Sequence, residues 1–164
     1  MLPNDALTAA VIGGLLTMAG SLLGALLVRR LDIVREDAKL KRQIVGAINT
    51  VLAEIAANDA RLTTQVENKQ TLVEDLALSS TAYRRVELIL AEHLDDVARS
   101  KLFEAYAPIE GGDLWVTVAT MTSAGTGVTT ARQGLDLKRC AEAIKLMDVA
   151  GAALREARER LGGH

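Results

Sequence analysis

The chain has 164 residues, a formal net charge of −2 and a single cysteine, and it is 49% hydrophobic but only 2% aromatic. That length holds one domain, or one membrane span with a small domain, and leaves no room for a multidomain enzyme. Near-neutral charge gives no field to gather phosphates, so no nucleic-acid partner is expected, and an apolar content of Ala, Leu, Val and Ile suits long close-packed helices rather than a β-sandwich.

The first element is the uncharged run Ala6–Val28, 23 positions long. A helix needs about 20 apolar residues to cross the hydrocarbon layer, so this run is long enough to span with some tilt. The preceding Met1-Leu2-Pro3-Asn4-Asp5 lacks the basic residues of a secretory signal. Its polar side chains, Thr8, Thr17 and Ser21, can bond back to their own helix. Between Arg29 and Arg42 stand six basic residues, Arg29, Arg30 and Arg35 among them, against three acids. The positive-inside rule then puts the N-terminus outside and the C-terminal body in the cytoplasm, with the anchor in the inner membrane. Within the run, Gly20 and Gly24 form a small-xxx-small pair, and Gly13, Thr17, Ser21 and Ala25 continue a small strip at intervals of four. Such a strip lets two membrane helices approach closely.

Beyond the basic stretch, Leu40, Ile44, Ile48, Val51, Ile55, Leu62 and Val66 fall on one helical face. No proline separates them from the span, which predicts one long helix to about residue 66. Asn58 and Asp59 fall where the stripe would otherwise be filled, either to fix register within a bundle or, as is expected here, to face water. Thr71-Leu72-Val73-Glu74 has the form of a capping box and predicts a short helix through Leu78. Ser79, Ser80 or Thr81 should cap a helix carrying Tyr83, Val86, Leu90 and Leu94, and Asp95 or Asp96 the next, with Leu102, Tyr106 and Ile109 inward.

Pro108 and Gly111-Gly112 interrupt that pattern, and Asp113 offers a fresh cap. Leu114–Ala131 is uncharged but holds six threonines, a serine and two glycines, which is too polar for a second span. It reads as a threonine-rich core helix ending at Gly125-Thr126-Gly127. The last helix carries Leu137, Cys140, Ile144, Met147, Gly151, Leu154, Arg158 and Leu161 at alternating steps of three and four, a heptad seam expected to pack along a partner helix. Glu156 with Arg160, and Arg155 with Glu159, are spaced as intrahelical ion pairs.

No catalytic constellation emerges. Glu92-His93-Leu94-Asp95-Asp96 lacks the second histidine motif of a di-iron bundle site, and Cys140 lies on the apolar seam as a small core residue. Gly125-Thr126-Gly127 lacks the Lys-Ser/Thr ending of a phosphate loop. No metal, cofactor or enzymatic activity is expected.

The plan of span, basic stop and helical body, with Leu52-Ala53-Glu54-Ile55, Asn58 and Leu62 after the anchor, then Leu78-Ser79-Ser80-Thr81-Ala82-Tyr83 and Ala105-Tyr106, resembles a class of uncharacterised bacterial and phage single-pass membrane proteins. The resemblance covers roughly residues 6–107 and implies topology rather than an activity. The expected fold is all-α: a tail and transmembrane helix over 1–28, an amphipathic extension over 29–66, and an antiparallel bundle or coiled-coil body over 67–164. The expected role is a non-enzymatic, membrane-anchored scaffold that self-associates into a homo-oligomer. The alternative is a membrane-active phage-type protein, holin-like or acting in superinfection exclusion, that works by assembly of its span.

Overall fold

The computed structural model describes the backbone of residues 3–69, 76–121 and 129–162, and the side-chain surroundings of residues 14, 17–69, 76–115 and 134–162. Among the described residues four helices and one antiparallel strand pair follow in the order α1 (Pro3–Glu67), α2 (Thr81–His93), α3 (Asp96–Glu110), β1 (Trp115–Met121), β2 (Thr129–Leu135) and α4 (Leu137–Gly162). The chain divides into two units, Met1–Arg42 and Gln43–His164. Helix α1 is continuous across the division, as the absence of a proline or turn signal before residue 66 predicts.

In the second unit the stretch of α1 after Gln43 joins α2, α3 and α4 as an antiparallel bundle. Tyr83 of α2 stacks on Tyr106 of α3 with ring centroids 4.4 Å apart, and Arg84 Nε donates to Glu110 Oε1 at 2.7 Å. Arg160, near the end of α4, meets Asp95 at the start of α3 at 2.8 Å. Arg158 of α4 donates to Asn49 Oδ1 of α1 at 3.1 Å. From Ile44 on, the α1 face predicted from its spacing is the core face, whereas Leu40 is exposed: Ile48, Val51 and Leu62 are fully buried, joined by Leu90, Leu102, Tyr106, Met147 and Leu154.

Two polar residues of α1 reverse the chain. Asn58 is 1% exposed rather than solvated, because its amide pairs with both backbone groups of one residue: Nδ2 donates to the Ser79 carbonyl at 2.7 Å and the Ser79 amide donates to Oδ1 at 3.0 Å. One turn earlier, Glu54 Oε2 accepts from the Ala82 and Tyr83 amides at 2.6 and 3.2 Å. Those amides belong to the first turn of α2, where the helix leaves its donors unpaired and carries its positive end. Ser80 occupies the cap position without bonding the helix's amides through its side chain; the Ser79 hydroxyl accepts from the Thr81 amide at 3.2 Å, and the next two amides are capped by the carboxylate of Glu54, remote in sequence. Arg61 adds a bond to the Ala77 carbonyl. The proposed capping box at 71–74 lies outside the described residues, and residues 76–80 are extended or irregular rather than helical.

Asp95 caps α3 as expected, accepting from the Ala98 amide at 2.7 Å. Its carboxyl is held below the usual range by that bond first and by Arg160 second. Glu110 is lowered likewise, chiefly by Arg84. Pro108 does not end α3, which runs on to Glu110; a proline near the last turn removes one donor only. Gly112, at φ 73°, makes the left-handed turn that a side chain would strain.

The predicted threonine-rich helix is instead the strand pair, in register from Trp115↔Leu135 to Met121↔Thr129. The fold is therefore predominantly helical, as expected, with one small two-stranded sheet among the described residues. Val116, Thr117, Val118, Thr120, Thr129 and Thr130 are β-branched, and such side chains lose rotamer freedom in a helix but fit a pleated strand. Gly125-Thr126-Gly127 lies outside the described residues. Asp136 then restarts the helix, accepting from the Lys138 and Arg139 amides at 3.0 and 3.3 Å.

Candidate functional site

The first unit carries the most unusual surface. From Met18 to Val28 the large apolar side chains lie open on every side of the helix: Met18, Leu22, Leu23, Leu26, Leu27 and Val28 are 58–65% exposed. A helix that packs on one face leaves a charged or polar stripe opposite, whereas here the side opposite the leucines carries only the small Thr17, Gly20, Ser21 and Gly24. Among the small residues singled out in the sequence, Thr17, Gly20, Ser21, Gly24 and Ala25 are exposed, and an added Cβ at Gly20 or Gly24 would meet nothing within 4 Å. Ser21 donates back to the Met18 carbonyl at 3.0 Å, as a hydroxyl in an apolar helix does. Gly13 lies on the same helix, with its surroundings outside the described residues. Arg29, Arg30 and Arg35 are exposed directly after the apolar run.

Among the described residues no helix is long and apolar enough to cross a membrane. The uncharged run is helical from Ala6 to Val28, but its first half includes residues whose surroundings are outside the described set. The stretch from Thr17 to Val28 measures about 18 Å at 1.5 Å per residue, shorter than the ~30 Å hydrocarbon layer.

The α4 seam is occupied within the chain. Cys140, Met147, Gly151 and Leu154 are at most 1% exposed or buried, and Leu137, Ile144 and Leu161 pack partly buried around them. The buried residues of the seam belong to the hydrophobic core of their own chain, with α4 packed on α3 and Gly151 facing Leu52 and Ile55 of α1. Arg158 breaks the apolar repeat because it reaches Asn49 of α1. Of the two predicted intrahelical pairs, Glu156 with Arg160 forms at 4.0 Å, although Arg160 sits nearer Asp95 at 2.8 Å, whereas Arg155 Nε donates to the Gly151 carbonyl at 3.1 Å.

Three features of the body bear on chemistry. A cleft of about 430 Å³ between α2 and α3 has Tyr83, Leu90, Leu94 and Leu102 in its lining, with Glu87, Arg99 and the 63% exposed Phe103. A groove of about 360 Å³ between α1 and α4 brings Asp59, Asp148, Arg155 and Arg158 around Ile55, Met147 and Gly151. Asp59, expected to face water, has its Oδ1 buried without a donor, and burial first and Asp148 second raise its pKa above the ordinary carboxylate value. A raised folded pKa means that the ionised form weakens the fold at neutral pH, and the penalty lifts as pH falls through that value. Asp59→Asn is therefore expected to melt above wild type at pH 7, with the gap closing as pH falls toward about 4 in paired thermal melts.

Cys140 is fully buried, and burial followed by Asp136 raises its thiol pKa. A maleimide should label it no faster than the body unfolds, and a fast-labelling native chain would contradict this placement. His93 ends α2 exposed, Asp96 pairs with Arg99, and among the described residues no group of three or more His, Cys, Asp or Glu is gathered to hold a metal.

Comparison with protein-family models, with curated proteins and with solved structures gives no match for this chain. The functional reading therefore rests on the residues and their geometry.

Proposed function

We propose that this chain is a non-enzymatic helical scaffold anchored in the inner membrane by α1, with its bundle on the cytoplasmic side and with self-association as its working state. The observation that carries the reading is the apolar girdle from Met18 to Val28, exposed around the whole helix and continuous in sequence with the uncharged residues from Ala6. Water is a poor solvent for such a surface. Moving these six large side chains into hydrocarbon is favourable by on the order of 10 kcal/mol.

The basic stretch from Arg29 to Arg42 supports a body on the cytoplasmic side. The resemblance to bacterial and phage single-pass membrane proteins agrees in topology. The uncovered Gly20 and Gly24 favour association of the helix itself. The same face would serve the second reading, a holin-like or superinfection-exclusion protein whose assembled helices perturb the bilayer.

Alkaline carbonate extraction of cell membranes tests the anchoring. The chain should stay in the pellet, with its body digested by protease added to inverted vesicles and protected in right-side-out ones; release into the supernatant would overturn the reading. Collapse of membrane potential on expression, abolished by Gly20→Leu with Gly24→Leu, would move the membrane-active reading ahead.

A further inference from the structure

With the α4 seam buried inside its own chain, a second copy must be met elsewhere, and α1 carries another heptad repeat. Gly20, Gly24, Leu27, Leu31 and Val34 step alternately by four and three, and the same steps reach back to Thr17 and Gly13 and on to Ala38. Thr17, Gly24, Leu31 and Ala38 share one core position of a heptad, and Gly20, Leu27 and Val34 share the other. On this face Leu27, Leu31 and Val34 are 62%, 55% and 64% exposed. Gly20 and Gly24 leave open space above their backbone.

Lipid explains only part of this face. Leu31 and Val34 lie beyond Arg29 and Arg30, flanked by Asp32, Arg35, Glu36 and Asp37, where acyl chains do not shield them. Two large apolar side chains one turn apart, exposed among charges and continuing an apolar stripe, fit the core of a helix pair.

We propose that a second copy of this chain packs along this face, parallel and in register, from Thr17 to about Lys41. The proposal rests on the anchoring reading, since a shared membrane topology makes the two α1 helices parallel. Charge favours the register. Asp37 and Arg42 take the flanking positions of successive heptads, so Asp37 of each copy faces Arg42 of the other. Arg30 faces Arg35 in the same arrangement, a like-charged pair at headgroup level, where anionic lipid supplies the opposite charge. The glycines let the backbones close together within the bilayer, and the leucine and valine fill the wider gap in water.

Disulfide crosslinking in membranes of the full chain reads the register. Single cysteines introduced as Leu27→Cys, Leu31→Cys and Val34→Cys should form dimers under mild oxidation, and Asp32→Cys, Ile33→Cys and Glu36→Cys should not; the buried native Cys140 gives the background. Asp37→Arg in the Leu31→Cys chain should lower dimerisation about two- to five-fold. Adding Arg42→Asp should restore it. Uniform crosslinking, none, or a maximum on the Ile33 face would overturn the proposal. Carbonate extraction of the same samples separates the two ideas: a pelleted chain without the pattern loses the seam but keeps the anchor, and an extractable chain with the pattern keeps the seam but loses the anchor.

Discussion

Asn58→Ala should destabilise the body by about 2–3 kcal/mol, the cost of stranding two backbone groups that one buried side chain now satisfies. The Ser79 amide and carbonyl both bond to Asn58, and at 1% exposure water cannot replace the amide without opening the α1–α2 junction. Glu54→Ala should cost a similar amount, about 2 kcal/mol, because it removes a charged cap from the Ala82 and Tyr83 amides. Glu54→Gln keeps an acceptor without the charge and should fall between. Urea denaturation followed by the single tryptophan, Trp115, gives these differences. The double variant should lose less than the sum, since both residues hold the same segment 79–83. A fully additive pair, or a loss below ~0.5 kcal/mol for Asn58→Ala, would mean that the segment is held by something else.

The second large effect is on where the chain resides. Leu22→Asp combined with Leu26→Asp places two carboxylates in the apolar run, each costing roughly 2.5–3.5 kcal/mol at the centre of a membrane helix. Both positions lie off the proposed seam, so the change tests solvation by lipid rather than packing between copies. The variant should move from the carbonate-resistant pellet to the supernatant, whereas Leu22→Ala with Leu26→Ala should stay. Equal partition of both variants would argue that the girdle is covered by protein.

The helical body was legible where one side of each helix is apolar and the other polar. The seam from Ile44 to Leu62, the Asp95 cap, the inward Leu102 and Tyr106 and the seam of α4 all follow from spacing and cap chemistry. What was not legible depends on partners far along the chain. Nothing local marks Asn58 as buried, because its partner is the backbone of residue 79, and nothing near Ser80 shows that Glu54 supplies the cap. The strand pair is hidden for a different reason: Thr117, Thr120, Thr129 and Thr130 read as polar, whereas their β-branching, shared with Val116 and Val118, is what suits a strand. The α4 seam was readable as a seam, but a repeat does not say whether its partner is the same chain or another. Burial of Cys140, Met147 and Leu154 in one chain answers that for α4. The exposed Leu27, Leu31 and Val34 make α1 the surface on which a second copy is proposed to pack.

The central claim is that the apolar run of α1 is dissolved in lipid. Its most direct test is collisional accessibility of spin labels placed singly along residues 18–40 of the full chain in phospholipid vesicles. Labels at Met18, Leu22, Leu23 and Leu26 should collide with oxygen and be shielded from an aqueous nickel chelate, with the order reversing beyond Arg30. Nickel access throughout residues 18–28, or shielding from both reagents along the whole run, would contradict the account.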